Sequence, residues 1–360
     1  MLLYSILTIA ACSFAYLVVT PCMNSEIKYR SRQQALNRIC IAAIFLLLFA
    51  VSALRDMVGA DYRNYTLNFN EIYYNAYVVT EEGYNFFVKA IYFLVGSLNY
   101  YFIFAAFSFA TVLGFMRAIR KQSDWYFLSF FLYMTLGLYF IAFSTMRYYL
   151  VLGFALLLMK DAIDGRYIKF VISVLILSMF HKSVLLIIPI YFFARLPWRR
   201  WQLAVLTVPA AGMFIFKDLF LKIFLRLYPS YISTEYIEQT SNNLIGIMRC
   251  VATIVLAMLF YKDAIKENKA NKFYLRLNYF ALLLYLFGSF IPLLSRICYY
   301  MTISQILLIP SILCHIQDKK LRKLFTILTI AAGIAYFAIF LYRADSVALN
   351  ILPYKTWLFK

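Results

Sequence analysis

Hydrophobic segments recur along the whole chain, separated by short polar connections. Each holds about 16 to 20 mostly apolar residues, close to the roughly 20 that an α-helix needs to cross the hydrocarbon core of a bilayer. The pattern predicts an all-α, polytopic integral membrane protein with about 12 transmembrane segments. They are expected at about 3–20, 39–54, 98–117, 125–143, 147–163, 170–180, 184–194, 202–216, 244–262, 273–292, 297–316 and 324–342.

The stretch at about 170–194 is built differently from the others. Its two apolar runs of about 11 residues are separated by His181, Lys182 and Ser183. Each run is short for a full crossing at about 1.5 Å per residue. We therefore predict a short membrane hairpin whose polar tip lies within or near the outer membrane face, beside protein or a water-filled cavity.

The polar stretches are too short to fold alone. The longest, at about 55–83, has about 30 residues, whereas an independent domain needs roughly 50. The sequence therefore predicts one transmembrane domain over residues 1–360, with external loops at about 55–83 and 217–243. Residues 84–96 are expected to form an interfacial or re-entrant segment, and residues 217–227 an amphipathic piece of the second loop.

The charge is unevenly placed along the chain. Lys and Arg number 35 against 16 Asp and Glu, and the formal net charge is +19. Every second connection is basic, as cytoplasmic loops are, so both termini are predicted to be external. The excess indicates contact with anionic membrane lipid rather than with nucleic acid. The loops that hold 21 of the 35 cations are 28–38, 117–121, 160–169, 195–200, 262–272 and 319–323.

Other cations lie at the predicted outer ends of helices or within them. A charge inside a bilayer costs at least about 2.5–3.5 kcal/mol and usually faces a cavity or a partner. Together they would form an electropositive chamber for a lipid-linked phosphate or pyrophosphate, which Arg binds in bidentate fashion. Alternatively, each cation extends to the lipid headgroups. The six are Arg55, Arg147, Lys182, Arg249, Arg296 and Arg343.

Arg147 and Arg296 are the strongest of these candidate ligands. Each stands at a polar break between two long apolar runs and is followed by a pair of tyrosines. Tyr299, in the second pair, is a further candidate ligand. Arg249 lacks such a context, so the two interpretations of this residue stay equally open.

The first external loop carries candidate sugar ligands. Asp56 and Asp61 flank Gly59, which permits backbone conformations that other residues avoid, so a turn can present one carboxylate to the chamber. Tyr62 and Tyr65 suit sugar recognition by stacking and hydrogen bonding. The alternative for the acidic residues is a local ion pair with the neighbouring Arg at the helix end.

The chain has two histidines, and one is a candidate general base. His315 is expected to be solvated at a cytoplasmic helix end, whereas His181 interrupts an apolar run at the hairpin tip. Imidazole titrates near neutral pH and can accept a proton from a hydroxyl. Asp61 competes for the same catalytic role, and a structural histidine bonded to a backbone carbonyl is the alternative for His181.

Several other kinds of chemistry find no support in the sequence. It contains no Walker loop, dinucleotide-binding glycine pattern or HExxH motif. The six cysteines lie far apart, so neither a metal nor a cofactor is predicted. Paired carboxylates are absent from the apolar segments, which argues against an ion-coupled carrier.

Taken in order, these residues resemble the EpsG-like branch of the Wzy-type polysaccharide polymerases. The stretch from Arg55 to Tyr65 is similar to the first-loop signature of that family, with Ala60 where Thr is usual. The similarity spans nearly the whole chain. It continues in Met146-Arg147, in Phe180-His181-x-Ser183 before Pro189, in Arg296 with its aromatic pair, and in Leu352-Pro353-Tyr354-Lys355.

The resemblance implies a glycosyltransferase of the bacterial inner membrane that joins lipid-linked oligosaccharide repeats. A glycan on undecaprenyl pyrophosphate would be the donor, and a new lipid-linked repeat would be the acceptor at the outer face. Cations would stabilise the pyrophosphate leaving group without a metal. A chain-length regulator and a flippase are expected partners. The product can be O-antigen, capsule or exopolysaccharide.

Three other functions stay open. A flippase for lipid-linked oligosaccharides would also be polytopic with a cationic chamber, but it often has matching broken helices in inverted repeats. The sequence shows one broken hairpin and no counterpart. A membrane O-acyltransferase could use a membrane His and Arg, and an O-antigen ligase usually has a longer external loop.

Overall fold

The computed structural model describes residues 1–20, 31–96, 99–197, 208, 212, 215–227, 244–288, 294–346 and 349–359. Within them every regular element is a helix, apart from one isolated antiparallel bridge between Arg55 and Thr356. The predicted all-α fold class is therefore confirmed. A helix satisfies its backbone hydrogen bonds internally, as a chain surrounded by lipid requires.

Most of the predicted apolar segments are helices with boundaries close to those expected. Short 3₁₀ and π turns lie at Lys182–Leu186 and Tyr261–Ile265. The α-helices are α1 (Leu2–Tyr16), α2 (Ser31–Ala53), α3 (Tyr62–Tyr73), α4 (Glu82–Val95), α5 (Tyr101–Gln122), α6 (Tyr126–Thr135), α7 (Leu138–Ile141), α8 (Met146–Asp164), α9 (Tyr167–Ser178), α10 (Ile187–Arg195), α11 (Lys217–Leu227), α12 (Leu244–Leu259), α13 (Lys269–Phe287), α14 (Leu294–Thr302), α15 (Gln305–His315) and α16 (Lys319–Tyr342).

Two predicted segments are divided in the structure. The segment at about 125–143 is broken between α6 and α7 at Gly137, whose φ of +74° favours glycine. The segment at about 297–316 forms α14 and α15. The predicted segment at about 202–216 lies almost wholly outside the described residues. The amphipathic piece at 217–227 is helical, as α11.

The predicted hairpin is present. α9 ends at Ser178, and a 3₁₀ turn followed by α10 leads back, so the bend comprises residues 179–181. α4 packs on this bend, because the Tyr84 N–H donates to the Met179 carbonyl at 3.0 Å. A Cβ at Gly83 would lie 2.5 Å from the Met179 Cβ. The start of α4 therefore covers the hairpin tip.

Contacts between distant segments define two ends of the bundle. At the first, the Tyr4 hydroxyl donates to the Ile351 carbonyl at 2.7 Å. Residues 1–4, 54–62 and 349–357 meet there, and we call it the tail end. At the second, the Thr20 hydroxyl donates to the Asp124 carbonyl at 2.7 Å. This is the basic end, with residues 17–20, 117–124, 160–169 and 262–272.

Four described helical stretches are long and apolar enough to cross a membrane. α2 and α16 leave most of their surface uncovered, since only 22% of the apolar window of each is buried. Such surfaces suit lipid, which agrees with a membrane protein. The predicted number of about 12 crossings stays a prediction. The four are Arg32–Ala53, Tyr101–Gln122, Leu294–His315 and Lys319–Tyr342.

Cysteine labelling tests the predicted orientation. In a variant without native cysteines, Asn70→Cys should react with an impermeant maleimide in intact cells. Lys320→Cys should react only after permeabilisation, because Lys- and Arg-rich connections stay in the cytoplasm. Both positions are exposed, so access to the side chain does not limit either reaction. The reverse labelling pattern would overturn the orientation.

Candidate active site

Five segments that are distant in sequence meet at the tail end. Asp61 precedes α3, Glu81 precedes α4, and Arg147 lies in the first turn of α8. His181 is at the hairpin tip, and Arg296 lies in the first turn of α14. We call these five residues the tail-end cluster. Four of them are candidates from sequence, and Glu81 is an addition from the structure.

Glu81 joins α8 to the hairpin. Its Oε2 lies 2.5 Å from Nη1 of Arg147. Its Oε1 accepts a hydrogen bond from the Lys182 backbone N–H at 3.1 Å and lies 3.6 Å from Nδ1 of His181. The Glu81 side chain is only 12% exposed, so this carboxylate depends on these partners.

The surroundings of Glu81 hold it in the ionised form. Burial alone would raise its pKa, but the His181 ring and the Arg147 guanidinium outweigh this effect and lower the pKa to about 2. A negative charge therefore stands beside the imidazole at any physiological pH.

His181 has two distinct ring nitrogens in this setting. Nδ1 is buried, faces Glu81 and is beyond hydrogen-bonding distance. Nε2 is hydrogen-bonded to no described residue, which leaves it open to a substrate hydroxyl. From sequence we expect cations such as Lys182 near the imidazole. The structure adds a carboxylate to these surroundings, because Oε1 of Glu81 lies 3.6 Å from Nδ1 of His181.

A set of tyrosines fixes the hairpin against α8 and α14. The Tyr148 ring meets the His181 ring edge to face, with centroids 5.6 Å apart. The Tyr148 hydroxyl donates to the Arg296 carbonyl at 2.5 Å. The hydroxyls of Ser183 and Tyr300 are 2.9 Å apart. Contacts with α8 and α14 therefore set the position of His181.

The two arginines of the cluster differ in what they contact. Arg147 is paired with Glu81, lies 4.8 Å from the Tyr84 ring centroid, and is close to the Tyr65 hydroxyl. The Arg296 guanidinium is half-buried and hydrogen-bonded to no described residue. Of the two, Arg296 has more donors available for an anionic ligand.

Asp61 is placed by a tight turn. Gly59 has φ +114°, and a Cβ there would lie 2.2 Å from the Phe143 carbonyl oxygen. Gly59 therefore adopts a backbone conformation that other residues avoid, as expected from the sequence. Burial raises the pKa of Asp61, although the charges of Arg296 and Arg147 act in the opposite direction. A raised pKa makes a carboxylate a stronger base.

Three predicted ligands lie in the protein interior instead. Arg55 is 1% exposed and lies between the rings of Phe104 and Phe143, with its Nη1 donating to Ser52 and Ser108 oxygens. The structure does not bring this guanidinium into the cluster.

Asp56 and Tyr62 belong to the same interior region. The Asp56 carboxylate accepts a hydrogen bond from Tyr101 at 3.1 Å. The Tyr62 ring stacks on Phe104, with centroids 4.2 Å apart, and is 1% exposed. In these positions both residues hold the first loop against α5.

Arg249 lies on α12, and Tyr299 lies on α14. Nε and Nη2 of Arg249 both donate to Oε1 of Gln305, at 3.1 and 2.8 Å. Arg249 and Gln305 line a mostly apolar cavity of about 440 Å³ between α12 and α16. Tyr299 is near Arg249, whereas the next residue, Tyr300, faces the hairpin.

The six cations predicted for one chamber are therefore distributed. Arg147 and Arg296 belong to the cluster, and Lys182 is exposed beside it. Arg343 is exposed at the end of α16. The free-energy cost of placing a cation in the bilayer shows that the cation needs a partner. It does not show whether that partner belongs to the protein or to a bound ligand.

Glu81 was missed in the sequence because it is one of several acidic residues in a polar loop. The sequence does hold one indication of its position, because Glu81-Glu82-Gly83 stands at the start of an apolar segment. Its partner Arg147 is 66 residues away, so no local pattern shows the pair. Among the described residues, no group of three or more His, Cys, Asp and Glu is placed to hold a metal.

Comparison with known families gives one match. A model of the EpsG family covers residues 38–356, which is 319 of the 360 residues. No curated protein and no solved structure matches the chain. The match includes all five residues of the tail-end cluster.

The ion pair between Glu81 and Arg147 should contribute measurably to the free energy of unfolding. Glu81→Gln should lower the free energy of unfolding by about 3–5 kcal/mol, because Arg147 loses its counter-charge. A carboxyl whose pKa is lowered from 4.5 to about 2 contributes full stability above about pH 4.5 and loses it as the pH falls toward 2.

Thermal unfolding in detergent between pH 3 and 7 measures this effect. The difference between wild type and Glu81→Gln should shrink below about pH 4.5. A stability difference between the two proteins that stays constant from pH 3 to 7 would contradict the ion pair between Glu81 and Arg147. Glu82→Gln is the matched control, since the neighbouring carboxylate has no ion pair among the described residues.

Proposed function

Because the chain belongs to the EpsG family, we propose that it polymerises lipid-linked oligosaccharide repeats at the outer face of the bacterial inner membrane. Family membership itself suggests a polysaccharide polymerase type of function. The observation that carries the finer proposal is the tail-end cluster. It combines a candidate base, a carboxylate beside it and the Arg296 guanidinium, which has no hydrogen-bond partner among the described residues. Such a set suits glycosyl transfer from a pyrophosphate.

The reaction assigns each group a role. An acceptor sugar hydroxyl attacks the anomeric carbon of the donor glycan, and the new glycosidic bond forms. The bond from that carbon to the pyrophosphate oxygen breaks, and undecaprenyl pyrophosphate leaves with the electron pair. The hydroxyl proton passes to the base. Arg296 stabilises the charge that develops on the leaving group.

His181 is the proposed base, acting through Nε2. Taking up a proton gives an imidazolium, whose charge Glu81 stabilises from the Nδ1 side. This division of labour resembles that of a histidine oriented by a carboxylate in hydrolases. Arg147 holds Glu81 and contributes to the positive potential. Asp61 is the alternative base, since it is partly buried beside the same arginines.

Arg296→Lys tests the bidentate role of the guanidinium. It should reduce the polymerisation rate at least about tenfold, because Lys keeps the charge but loses the planar fork. Arg296→Ala should cost about 10²-fold or more, like removal of one donor to a developing anion. Purified protein with a lipid-linked repeat gives the rate.

Arg63→Lys serves as the control for Arg296, since Arg63 is exposed on α3. It should polymerise at the wild-type rate. If Arg296→Lys does the same at equal protein level, Arg296 is not a bidentate pyrophosphate ligand.

His181→Ala and Asp61→Asn distinguish the two candidate bases. Loss of a general base typically costs about 10²–10⁴-fold in rate. We expect this loss for His181→Ala and a smaller one for Asp61→Asn. Thermal unfolding of both variants, measured alongside, separates loss of the base from loss of the fold. A rate for His181→Ala within about threefold of wild type would remove His181 from the role.

The products in cells distinguish the reaction classes. A strain without polymerase activity should display single repeats at the surface. Loss of a flippase would leave none there, and loss of an acyltransferase would leave full-length polymer without acyl groups. Gel ladders from a deletion strain complemented with His181→Ala show which applies.

A further inference from the structure

An apolar groove lies between α5, α8 and α9, outside the tail-end cluster. Its volume is about 700 Å³, within the roughly 300–1,000 Å³ of ligand sites. It extends along α8 from Leu150 to Asp161, a length of about 16 Å at 1.5 Å per residue. Apolar side chains form most of its wall, among them Ala110 of α5, Leu150 and Phe154 of α8, and Ile176 of α9.

The two ends of the groove differ in character. One reaches Phe87 and Phe180, whose rings meet edge to face at 5.8 Å. Phe180 directly precedes His181, so this end lies behind the hairpin tip. The other end reaches the basic end of the bundle, where Lys121, Lys160, Arg166 and Lys169 line it.

The basic end of the groove has an excess of positive charge. Asp161 is the one acidic residue among its described lining residues. It is already paired with Arg166 at 3.0 Å and with Lys169 at 3.3 Å. Lys160 is 3.9 Å from Asp164, and Lys121 has no ion pair with a described residue. The Lys121 amino group therefore has no counter-charge among the described residues, and Lys160 has only a long contact with Asp164, which Arg166 contacts more closely, at 2.5 Å.

A second cavity adjoins the groove at these two lysines. Its volume is about 280 Å³, and Lys121 and Lys160 line both spaces. Its other walls are mostly polar, with Gln122, Ser123 and Asn271 among them. Two carboxylates also line it, Asp124, which accepts a hydrogen bond from Ser311, and Asp164, which is paired with Arg166. A polar space and an apolar space thus meet at Lys121 and Lys160.

We propose that this composite site binds an anionic glycerophospholipid. One acyl chain lies along the groove between α5, α8 and α9. The phosphate is bound by Lys121 and Lys160, and the rest of the headgroup occupies the polar cavity. The end of the acyl chain packs against Phe180, so the lipid supports the hairpin that carries His181. The inference does not rest on the proposed reaction.

Lipid-dependent unfolding of the purified full chain in detergent tests the headgroup. Phosphatidylglycerol at saturation should raise Tm by about 5 °C, and phosphatidylcholine should raise it much less. Lys121→Gln with Lys160→Gln should remove most of the difference. Lys319→Gln with Lys320→Gln, at exposed positions in the first turn of α16, should retain it. Glycerol phosphate, which lacks acyl chains, should have no effect.

A pair of neighbouring residues tests the acyl chain. Ile176 lines the groove and Leu175 does not, although their exposed fractions are 56% and 51%. Ile176→Trp should reduce phosphatidylglycerol retained in native mass spectra at least about tenfold, and Leu175→Trp should not. Equal stabilisation by both lipids overturns the proposal. The proposal is also overturned if the control with Lys319→Gln and Lys320→Gln loses the preference for phosphatidylglycerol. The same holds if Ile176→Trp retains as much phosphatidylglycerol as Leu175→Trp.

Discussion

The ion pair between Glu81 and Arg147 is the interaction on which the candidate site depends. It joins the start of α4 to the start of α8, and the same carboxylate accepts the Lys182 backbone N–H at the hairpin tip. Removing one partner of a buried pair costs about 3–5 kcal/mol, since the other charge is left uncompensated. Three segments therefore keep their relative positions through one side chain.

The other half-buried or buried arginines show a different way of satisfying a charge in lipid. Arg55 is held by serine oxygens and two aromatic rings, and Arg249 by the amide oxygen of Gln305. Neither has a carboxylate partner among the described residues. Neutral oxygens and ring faces give part of the stabilisation that water would give. Arg296 has no such described partner, and for that reason it is the cation assigned to the leaving group.

The helices and the hairpin could be predicted from the sequence, because both follow from local patterns. Apolar runs define the helices, and the interruption at His181 defines the bend. The breaks at Gly137 and after Thr302 lie inside continuous apolar runs, so composition did not show them.

The site could be predicted only in part. Asp61, Arg147, His181 and Arg296 stand out as polar residues in or beside apolar segments, and the structure brings them together. The sequence pattern could not distinguish them from Arg55 or Arg249, because the partner that satisfies each cation comes from a distant segment. Glu81 could not be identified for the same reason, because its partners Arg147 and His181 are distant in the sequence.

The geometry of the proposed reaction depends on how α14 and the hairpin are linked. His181 and Arg296 lie on different elements, so a base and a leaving-group ligand keep their spacing only if those elements are fixed to each other. Tyr148 provides one link, since its ring packs on His181 while its hydroxyl binds the Arg296 carbonyl. The contact between Ser183 and Tyr300 provides a second. Both links use a tyrosine hydroxyl, that of Tyr148 in the first and that of Tyr300 in the second. Removing either oxygen changes the distance between His181 and Arg296 but leaves every group that takes part in the reaction in place.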